Sequence, residues 1–308
     1  MEIVKIKALS KRFGKVQAVK DASFEVFAGE IFGLLGPNGA GKTTIIRMIL
    51  DIFKPDSGLV EIFGGKMDDS KKLRVGYLPE ERGLYKDLKL EQTLVFLAML
   101  KGMESKPARR QVSAWLERLD LWQHRAKKVQ ELSKGMQQKA QIIATMVHEP
   151  DLIIVDEPFS GLDPVNIRLV KEIIEEMRLK GKSIIMSAHQ MYEVEAMCNR
   201  IVLINKGESV LYGQVSKIKR DFAGNAVIVE GQGELTQLPG VIDIRRTNGG
   251  YRLSLQTRVD PQHIFHSLAQ QDTFRVDRFQ IEEPSLEDIF IATVQGAEQK
   301  AKQEVADA

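Results

Sequence analysis

The run Gly36-Pro37-Asn38-Gly39-Ala40-Gly41-Lys42-Thr43-Thr44 fits G-x-x-x-x-G-K-[ST], the pattern of a phosphate-binding loop. Just before it, Glu30-Ile31-Phe32-Gly33-Leu34-Leu35 reads as a short buried strand, and just after it Thr44 to Leu50 reads as the first turns of a helix. Strand, loop and helix in that order are the context the pattern needs. The glycines let the backbone curl so that successive N–H groups face inward and hold anionic oxygens. The helix start adds the positive end of its dipole. Lys42 is expected to reach the β- and γ-phosphates, and the Thr43 hydroxyl to coordinate Mg²⁺. A chance match in a chain this long is on the order of one per cent at average glycine usage. Nucleotide binding is therefore expected, with the nucleotide itself left open by the loop.

A second acidic site lies downstream in Leu152-Ile153-Ile154-Val155-Asp156-Glu157. A nearly all-apolar strand suits a sheet covered on both faces. Ending it in two carboxylates places Asp156 beside the phosphate loop, where it can hold Mg²⁺ directly or through water. Glu157 can face a water in line with the γ-phosphate and act as general base. Idle carboxylates at this spot are disfavoured, because unpaired charge beside a core is expensive.

Around these two sites strands and helices alternate. Ile3–Ile6 and Ser23–Val26 read as half-buried antiparallel strands. Phe13 lies in the link between them, where it either stacks on a purine or packs at a turn. Leu59–Phe63 and Arg74–Leu78 read as strands, the latter stopped by Pro79. From about Asp87 the pattern turns helical, giving a helical insertion over about 87–147 with Leu94, Leu97 and Ala98 on one face. Val165–Leu179 is predicted as a helix with Pro164 at its start, Ser183–Ser187 as a strand, Met191–Cys198 as a helix and Ile201–Ile204 as a strand. That alternation predicts a mostly parallel sheet with helices on both faces. Beyond Gln214 the strands shorten and alternate, with Asn248-Gly249-Gly250 as a hairpin signal. The expected domains are 1–215, a small α+β domain over 216–296, and a disordered tail over 297–308.

Composition narrows the function classes. The chain has 308 residues, 43% of them hydrophobic and 28% charged, and a net charge of +2. That balance does not favour a nucleic-acid partner. The single cysteine, Cys198, excludes an intrachain disulfide and a cysteine-based zinc cluster. Met1-Glu2-Ile3-Val4-Lys5 places charges where a signal peptide needs an apolar core. No apolar run approaches the roughly 20 residues that span a bilayer. The expectation is a cytoplasmic protein whose membrane spans, if its process needs them, come from another polypeptide.

Leu132-Ser133-Lys134-Gly135-Met136-Gln137 resembles the signature motif of ABC ATPases, usually L-S-G-G-Q. Ser160-Gly161-Leu162-Asp163 resembles their D-loop, and His189 their switch histidine. With the two sites above, five motifs stand in the family's order over residues 1 to about 215. The resemblance implies a P-loop NTPase cassette of α/β class. Its sheet is mostly parallel with antiparallel N-terminal strands and a helical insertion, followed by the small α+β domain. It also implies ATP and Mg²⁺ as cofactors and a head-to-tail pair of cassettes, most simply two copies of this chain. In such a pair Lys42 of one copy and Ser133 of the other hold the same triphosphate. Gly135, Met136, Gln137 and Asp163 belong to the same nucleotide-binding set, and Ser133 and the Gly135 N–H form an anion site at a helix start. His189 is implied to contact the γ-phosphate, and Phe13 to stack on adenine.

Two departures stand out. The family usually has a Mg²⁺-coordinating glutamine after the Tyr77-Leu78-Pro79 strand end, where this chain has Glu80. A carboxylate can bind Mg²⁺, but it adds negative charge near the γ-phosphate. Met136 stands where the signature has glutamine, with Gln137 next along to compensate.

The run from Tyr77 to Tyr85 and the segment Pro284-Ser285-Leu286-Glu287-Asp288-Ile289-Phe290 resemble the ATPases of ABC-2-type exporters and their accessory domain. This implies the ATP-hydrolysing subunit of a membrane exporter, peripheral on the cytoplasmic face of the cell membrane, with a separate integral-membrane permease as partner and no nucleic acid. The rivals are a soluble ABC ATPase regulating a non-transport process, a GTPase suggested by Asn205-Lys206-Gly207-Glu208, and a sensor module built on the C-terminal domain.

Overall fold

The structure, a computed structural model, describes residues 1–295 apart from Arg82, 223–225, Glu234, 236–237, Asn248, 257–258 and Asp272, and apart from the side chains of Glu193 and Val194. The predicted tail over 297–308 and the Asn248 of the hairpin signal lie outside the described residues. The chain divides into two compact units, Met1–Val215 and Ser216–Ala308.

The first unit opens with two long strands, β1 (Glu2–Phe13) and β2 (Val16–Phe27). Sequence alternation marked only the start of β1 and the end of β2. Both run further because positive-φ residues, Ala8 and Asp21, absorb register shifts that break the alternation. Gly14, at φ +56, turns the chain between them. β1 also pairs with β4 (Ser57–Ile62), giving a three-stranded antiparallel sheet in the order β2-β1-β4. Between β2 and β4 come β3 (Ile31–Leu35) and α1 (Lys42–Ile49). β3 is buried at every residue, as its apolar run predicts.

After the short helix α2 (Asp69–Lys72), β5 (Val75–Leu78) enters the main sheet. The helical insertion follows as α3 (Leu90–Leu100), α4 (Ser105–Arg118) and α5 (Lys134–Met146). Of the predicted face on α3, Leu94 and Ala98 are fully buried and Leu97 half-buried; Val112 and Leu116 of α4 and Ile143 of α5 are fully buried. The chain then alternates: β6 (Leu152–Asp156), α6 (Pro164–Leu179), β7 (Ser183–Ala188), α7 (Met191–Glu195) and β8 (Arg200–Asn205). α6 starts where proline at its first turn predicts, with Asp163 as its cap. α7 is shorter than expected and stops before Cys198, whose buried thiol is pushed up to about 12 and is inert as a nucleophile.

The six-stranded sheet has the order β5-β6-β7-β3-β8-β9, with β9 (Glu208–Gln214) on its edge. All pairs are parallel except β8 with β9. The antiparallel edge strand is absent from the sequence-based expectation. Its turn is Lys206-Gly207, both at positive φ, flanked by the paired Asn205 and Glu208. That two-residue hairpin turn accounts for the Asn-Lys-Gly-Glu run and removes the reason to read it as a guanine-binding element.

The second unit continues α8 (Val215–Phe222) into an antiparallel sheet of β10 (Ala226–Gly233), β11 (Val241–Thr247), β12 (Gly250–Leu255) and β13 (Phe274–Ile281), ordered β11-β12-β10-β13. α9 (Pro261–Ala269) buries Ile264 and Leu268 in a core with Val227, Val229, Leu253 and Phe274. A last helix covers 286–295. Its start is a reciprocal cap. The Ser285 hydroxyl accepts from the Asp288 N–H at 3.1 Å, and the Asp288 carboxylate accepts from the Ser285 N–H at 3.2 Å. Capping chemistry thus explains the Pro284–Phe290 segment locally. Among the described residues no helix is long and apolar enough to cross a membrane.

One half-buried histidine in the first unit carries a pH prediction. His148, just past α5, sets Nε2 3.3 Å from the Val75 carbonyl, which also accepts from Lys101 Nζ at 2.8 Å. Burial, with the Lys101 charge beside it, pulls the imidazole down to about 4. An unfolded histidine titrates near 6.5. The folded protein therefore keeps His148 neutral where the unfolded chain takes up a proton. Stability is intact above about pH 6.5 and is lost as pH falls toward about 4, by about 3 kcal/mol in all. His148→Gln removes this loss. In urea unfolding at pH 7.0 and 4.5, the variant is expected to lose about 2–3 kcal/mol less than the parent between the two pH values.

Candidate functional site

Every parallel strand of the main sheet points its carboxyl end at the same edge, the usual position of a ligand site in such sheets. β3 delivers Gly36–Thr44 there, β6 delivers Asp156 and Glu157, and β7, lying between them, delivers Ser187 and His189. The chain order of these residues is scattered; the strand order brings them together.

The loop itself is held by backbone bonds. Gly36 N–H donates to the Ala188 carbonyl at 3.3 Å, and Gly207 N–H donates to the Ala40 carbonyl at 2.9 Å. Gly36 lies at φ +149, and a Cβ there would meet the Ile204 carbonyl oxygen at 2.1 Å. Gly41 lies at φ +111, and a Cβ there would meet the Ala18 carbonyl oxygen at 2.4 Å. At these two positions the cradle admits only glycine. The first hydrogen bond of α1 runs from Ile45 N–H to the Gly41 carbonyl at 3.0 Å. The N–H groups of Lys42, Thr43 and Thr44 therefore have no acceptor within the helix. These features fit a polyphosphate.

Lys42 is 6% exposed and Glu157 is 9% exposed. The Lys42 ammonium donates to the Gly36 carbonyl at 2.7 Å and the Pro37 carbonyl at 3.2 Å, and pairs with Glu157 Oε1 at 3.3 Å. The other carboxylate oxygen of Glu157, Oε2, lies 2.7 Å from His189 Nδ1. Glu157 adopts φ +51, an unusual backbone conformation for a side chain of its size. Its N–H donates to the Ser187 hydroxyl at 2.9 Å.

Asp156 is buried on the end of β6. Burial raises its carboxyl above the ordinary value, while the Ser187 and Thr43 hydroxyls pull it back and the Glu157 charge adds to the rise. Ser187 donates to Oδ1; Oδ2 has no hydrogen-bond partner among the described residues. A buried carboxylate oxygen without a donor, beside a hydroxyl, is a hard oxygen set that suits Mg²⁺.

An open cleft of about 330 Å³ is lined by Asn38 to Thr44, by Val16–Ala18 of β2, and by Glu80 and Glu157. Glu80 thus shares the cleft with the phosphate loop. Phe13 does not line it. It sits at the end of β1, 43% exposed, edge-on to Phe53 at 5.3 Å between centroids. The residues resembling a signature also lie elsewhere, at the start of α5. Ser133 caps that helix by accepting from the Met136 N–H at 3.3 Å, and Gly135 is half-buried in its first turn. Gln137, expected to stand in for Met136, has another role. Its amide donates to the Val129 and Leu132 carbonyls at 3.2 and 3.0 Å and holds the turn before α5. Asp163 caps α6, accepting from the Asn166 N–H at 3.0 Å, which holds its carboxyl below the usual range.

Two polar side chains that sequence reasoning passed over are Ser187 and Gln141. Ser187 reads as one more residue of a buried strand. Gln141 on α5 is 4% exposed and donates to the Glu81 carbonyl at 3.1 Å, so it fixes the loop that carries Glu80. Its signal, a polar residue on the apolar face of a helix, is visible only once the helix is placed.

Comparison with known proteins adds the following. Residues 19–160 match the family described as ABC transporter, and residues 213–294 match the ATP-binding protein DrrA1-3-like C-terminal domain. The uncharacterized ABC transporter ATP-binding protein YhaQ of Bacillus subtilis (strain 168) is 41% identical over 289 residues, covering 93% of this chain and 96% of that one. The Nod factor export ATP-binding protein I of Rhizobium etli is 31% identical over 297 residues, covering 94% and 93%. A solved structure, described as the ATP binding subunit of an ABC transporter, superposes with a TM-score of 0.67 at 33% identity, covering 71% of this chain and 93% of that one.

The loop geometry makes a prediction of its own. Gly41→Ala meets both a left-handed backbone and a carbonyl oxygen, whereas Gly39, at φ +77, has nothing within 4 Å of an added Cβ. Gly41→Ala is expected to destabilise the protein by about 2–4 kcal/mol and Gly39→Ala by only about 1–2 kcal/mol. Chemical denaturation of the two variants side by side checks the order.

Proposed function

The chain belongs to the ATP-binding subunits of ABC transporters, and on that footing we propose that it is the motor of a membrane exporter, closing as a pair of identical cassettes around two Mg²⁺·ATP. The observation that carries this is the convergence of Lys42, Asp156, Glu157 and His189 on one sheet edge, with Lys42 Nζ 3.3 Å from Glu157 Oε1 and His189 Nδ1 2.7 Å from Oε2.

The roles follow from the chemistry of each group. The loop N–H groups and Lys42 bind the phosphates. Thr43 and Asp156 would hold Mg²⁺, with Glu80 as a further oxygen at the cleft; a cation bound there would supply positive charge against the phosphates. Glu157 takes the proton of the attacking water, and His189 holds the carboxylate in position. Phosphate oxygens and Glu157 compete for the same ammonium. Binding a triphosphate therefore draws Lys42 off the carboxylate and frees the base.

The cleft at the phosphate loop is lined by no residue of the Leu132–Gln137 stretch. This supports a pairing in which Ser133 and Gly135 of one cassette face the nucleotide of the other. Adenine stacking falls to Phe13, whose ring is partly open to solvent. Asp163 stands beside the same interface, and Met136 follows Gly135 along it.

The membrane partner is proposed to dock on the helical insertion. Tyr77, Pro79, Leu84, Leu97 and Leu100 line an apolar cleft of about 310 Å³ there. Tyr85, Phe96 and Leu100 expose large apolar surface beside it, with Tyr85 edge-on to Phe96 at 5.9 Å. Thr145 and Gln141 tie α5 to the Tyr77 and Glu81 carbonyls, so movement of the signature end of α5 reaches this surface. Export as the direction is supported by the Rhizobium relative, a Nod factor export ATP-binding protein. The second unit is proposed as an accessory domain that stabilises the pair.

Glu157→Gln is expected to cut ATP turnover by a factor of about a hundred or more while ATP stays bound. Normal turnover in that variant would remove Glu157 as the base. Affinity purification of the full chain from solubilised membranes is expected to bring down a multi-span protein, and Leu100→Asp to lose it while nucleotide binding persists. Ribosomes in its place would favour a soluble ABC ATPase.

A further inference from the structure

One residue at the site has no role in the proposal above. Ser187 is fully buried near the end of β7, the strand that lies between β3 with its phosphate loop and β6 with its two acids. Its register partners are Asp156 on one side and Leu34 on the other. A serine hydroxyl offers one proton and two lone pairs. The proton goes to Asp156 Oδ1, and a lone pair accepts the Glu157 N–H at 2.9 Å. A single oxygen atom therefore grips both acidic residues.

Each contact constrains something the chemistry needs. Fixing Oδ1 sets the plane of the Asp156 carboxylate and leaves Oδ2, which has no partner among the described residues, as its available oxygen. Accepting the Glu157 N–H braces a residue held at φ +51, a conformation that persists only where surrounding contacts over-determine it. Alanine would leave a buried N–H unsatisfied and release the carboxylate, in a strand buried at every residue.

We infer that Ser187 is a positioning residue for the metal and the base, orienting Asp156 for the cation and locking the turn that presents Glu157. This inference rests on the assignment of Asp156 as a Mg²⁺ ligand. Ser187 acts through Asp156 and Glu157 and is assigned no contact with nucleotide. Groups of this kind, one bond behind a metal ligand, change metal affinity or activity by about ten- to a hundredfold when removed.

The test reads metal binding rather than turnover. The full chain is loaded with a non-hydrolysable ATP analogue, and Mn²⁺ is titrated in, with bound metal followed by electron paramagnetic resonance. Ser187→Ala is expected to weaken Mn²⁺ about ten- to a hundredfold while affinity for the analogue in EDTA is unchanged. Ser187→Thr keeps the hydroxyl and is expected to bind Mn²⁺ close to the parent level. Parent-like Mn²⁺ affinity in Ser187→Ala would overturn the inference. So would an equal loss of analogue affinity in EDTA, the mark of general loosening, or a threonine variant as weak as the alanine one. Asp156→Asn separates the two levels. If it abolishes Mn²⁺ binding while Ser187→Ala does not weaken it, only the positioning role fails. If it keeps Mn²⁺, the assignment of Asp156 fails and the inference goes with it.

Discussion

Three ionisable side chains at one sheet edge, Lys42, Asp156 and Glu157, are each less than a tenth exposed, and the surroundings are built to satisfy them. Charge taken out of water must be paired or hydrogen-bonded. Lys42 has two carbonyls and a carboxylate; the Glu157 carboxylate has Lys42 and His189, while its backbone N–H has Ser187; Asp156 has Ser187 and one oxygen left over. No single element could supply all of these. A parallel sheet can, because each strand ends at the same edge and contributes one or two groups. Moving β7 out from between β3 and β6 would leave both acids without their common hydroxyl.

Much of this was legible in the residues. Parallel strands covered on both faces are written as apolar runs, which is why β3, β6 and β7 stood out. A loop that needs left-handed backbone is written in glycine, and a helix that opens on proline announces its start at Pro164. The reverse cases have equally physical causes. β9 carries Glu208, Ser209, Gly213 and Gln214 because it is an edge strand with one wet side, so it shows no apolar run. β1 and β2 looked short because bulges shift the alternation. Ser187 was hidden because a serine in a buried strand looks like filler until its register partner is known.

The residues at which the chain departs from the family pattern are accounted for unequally. Gln137 is held by two carbonyls of its own turn, so the side chain next to Met136 braces the start of α5. Glu80 keeps its place on the cleft although its side chain differs from the usual amide. What holds that place is the backbone: Gln141 and Thr145 grip carbonyls on either side of Pro79 and Glu80. Nothing in the structure explains the choice of carboxylate over amide there.

The bonds from Gly36 to Ala188 and from Gly207 to Ala40 are made entirely by peptide groups. The curvature of the loop is therefore imposed from outside, by β7 and by the β8–β9 turn, and not by the exposed side chains of Pro37 and Asn38. Those two exposed positions can vary while the cradle keeps its form, whereas Ala40 is held in the core. Gly36 and Gly41 cannot vary, since their backbones leave no room for a Cβ. The hairpin turn at Lys206-Gly207, more than 160 residues away along the chain, thereby helps set the shape of a loop it does not belong to.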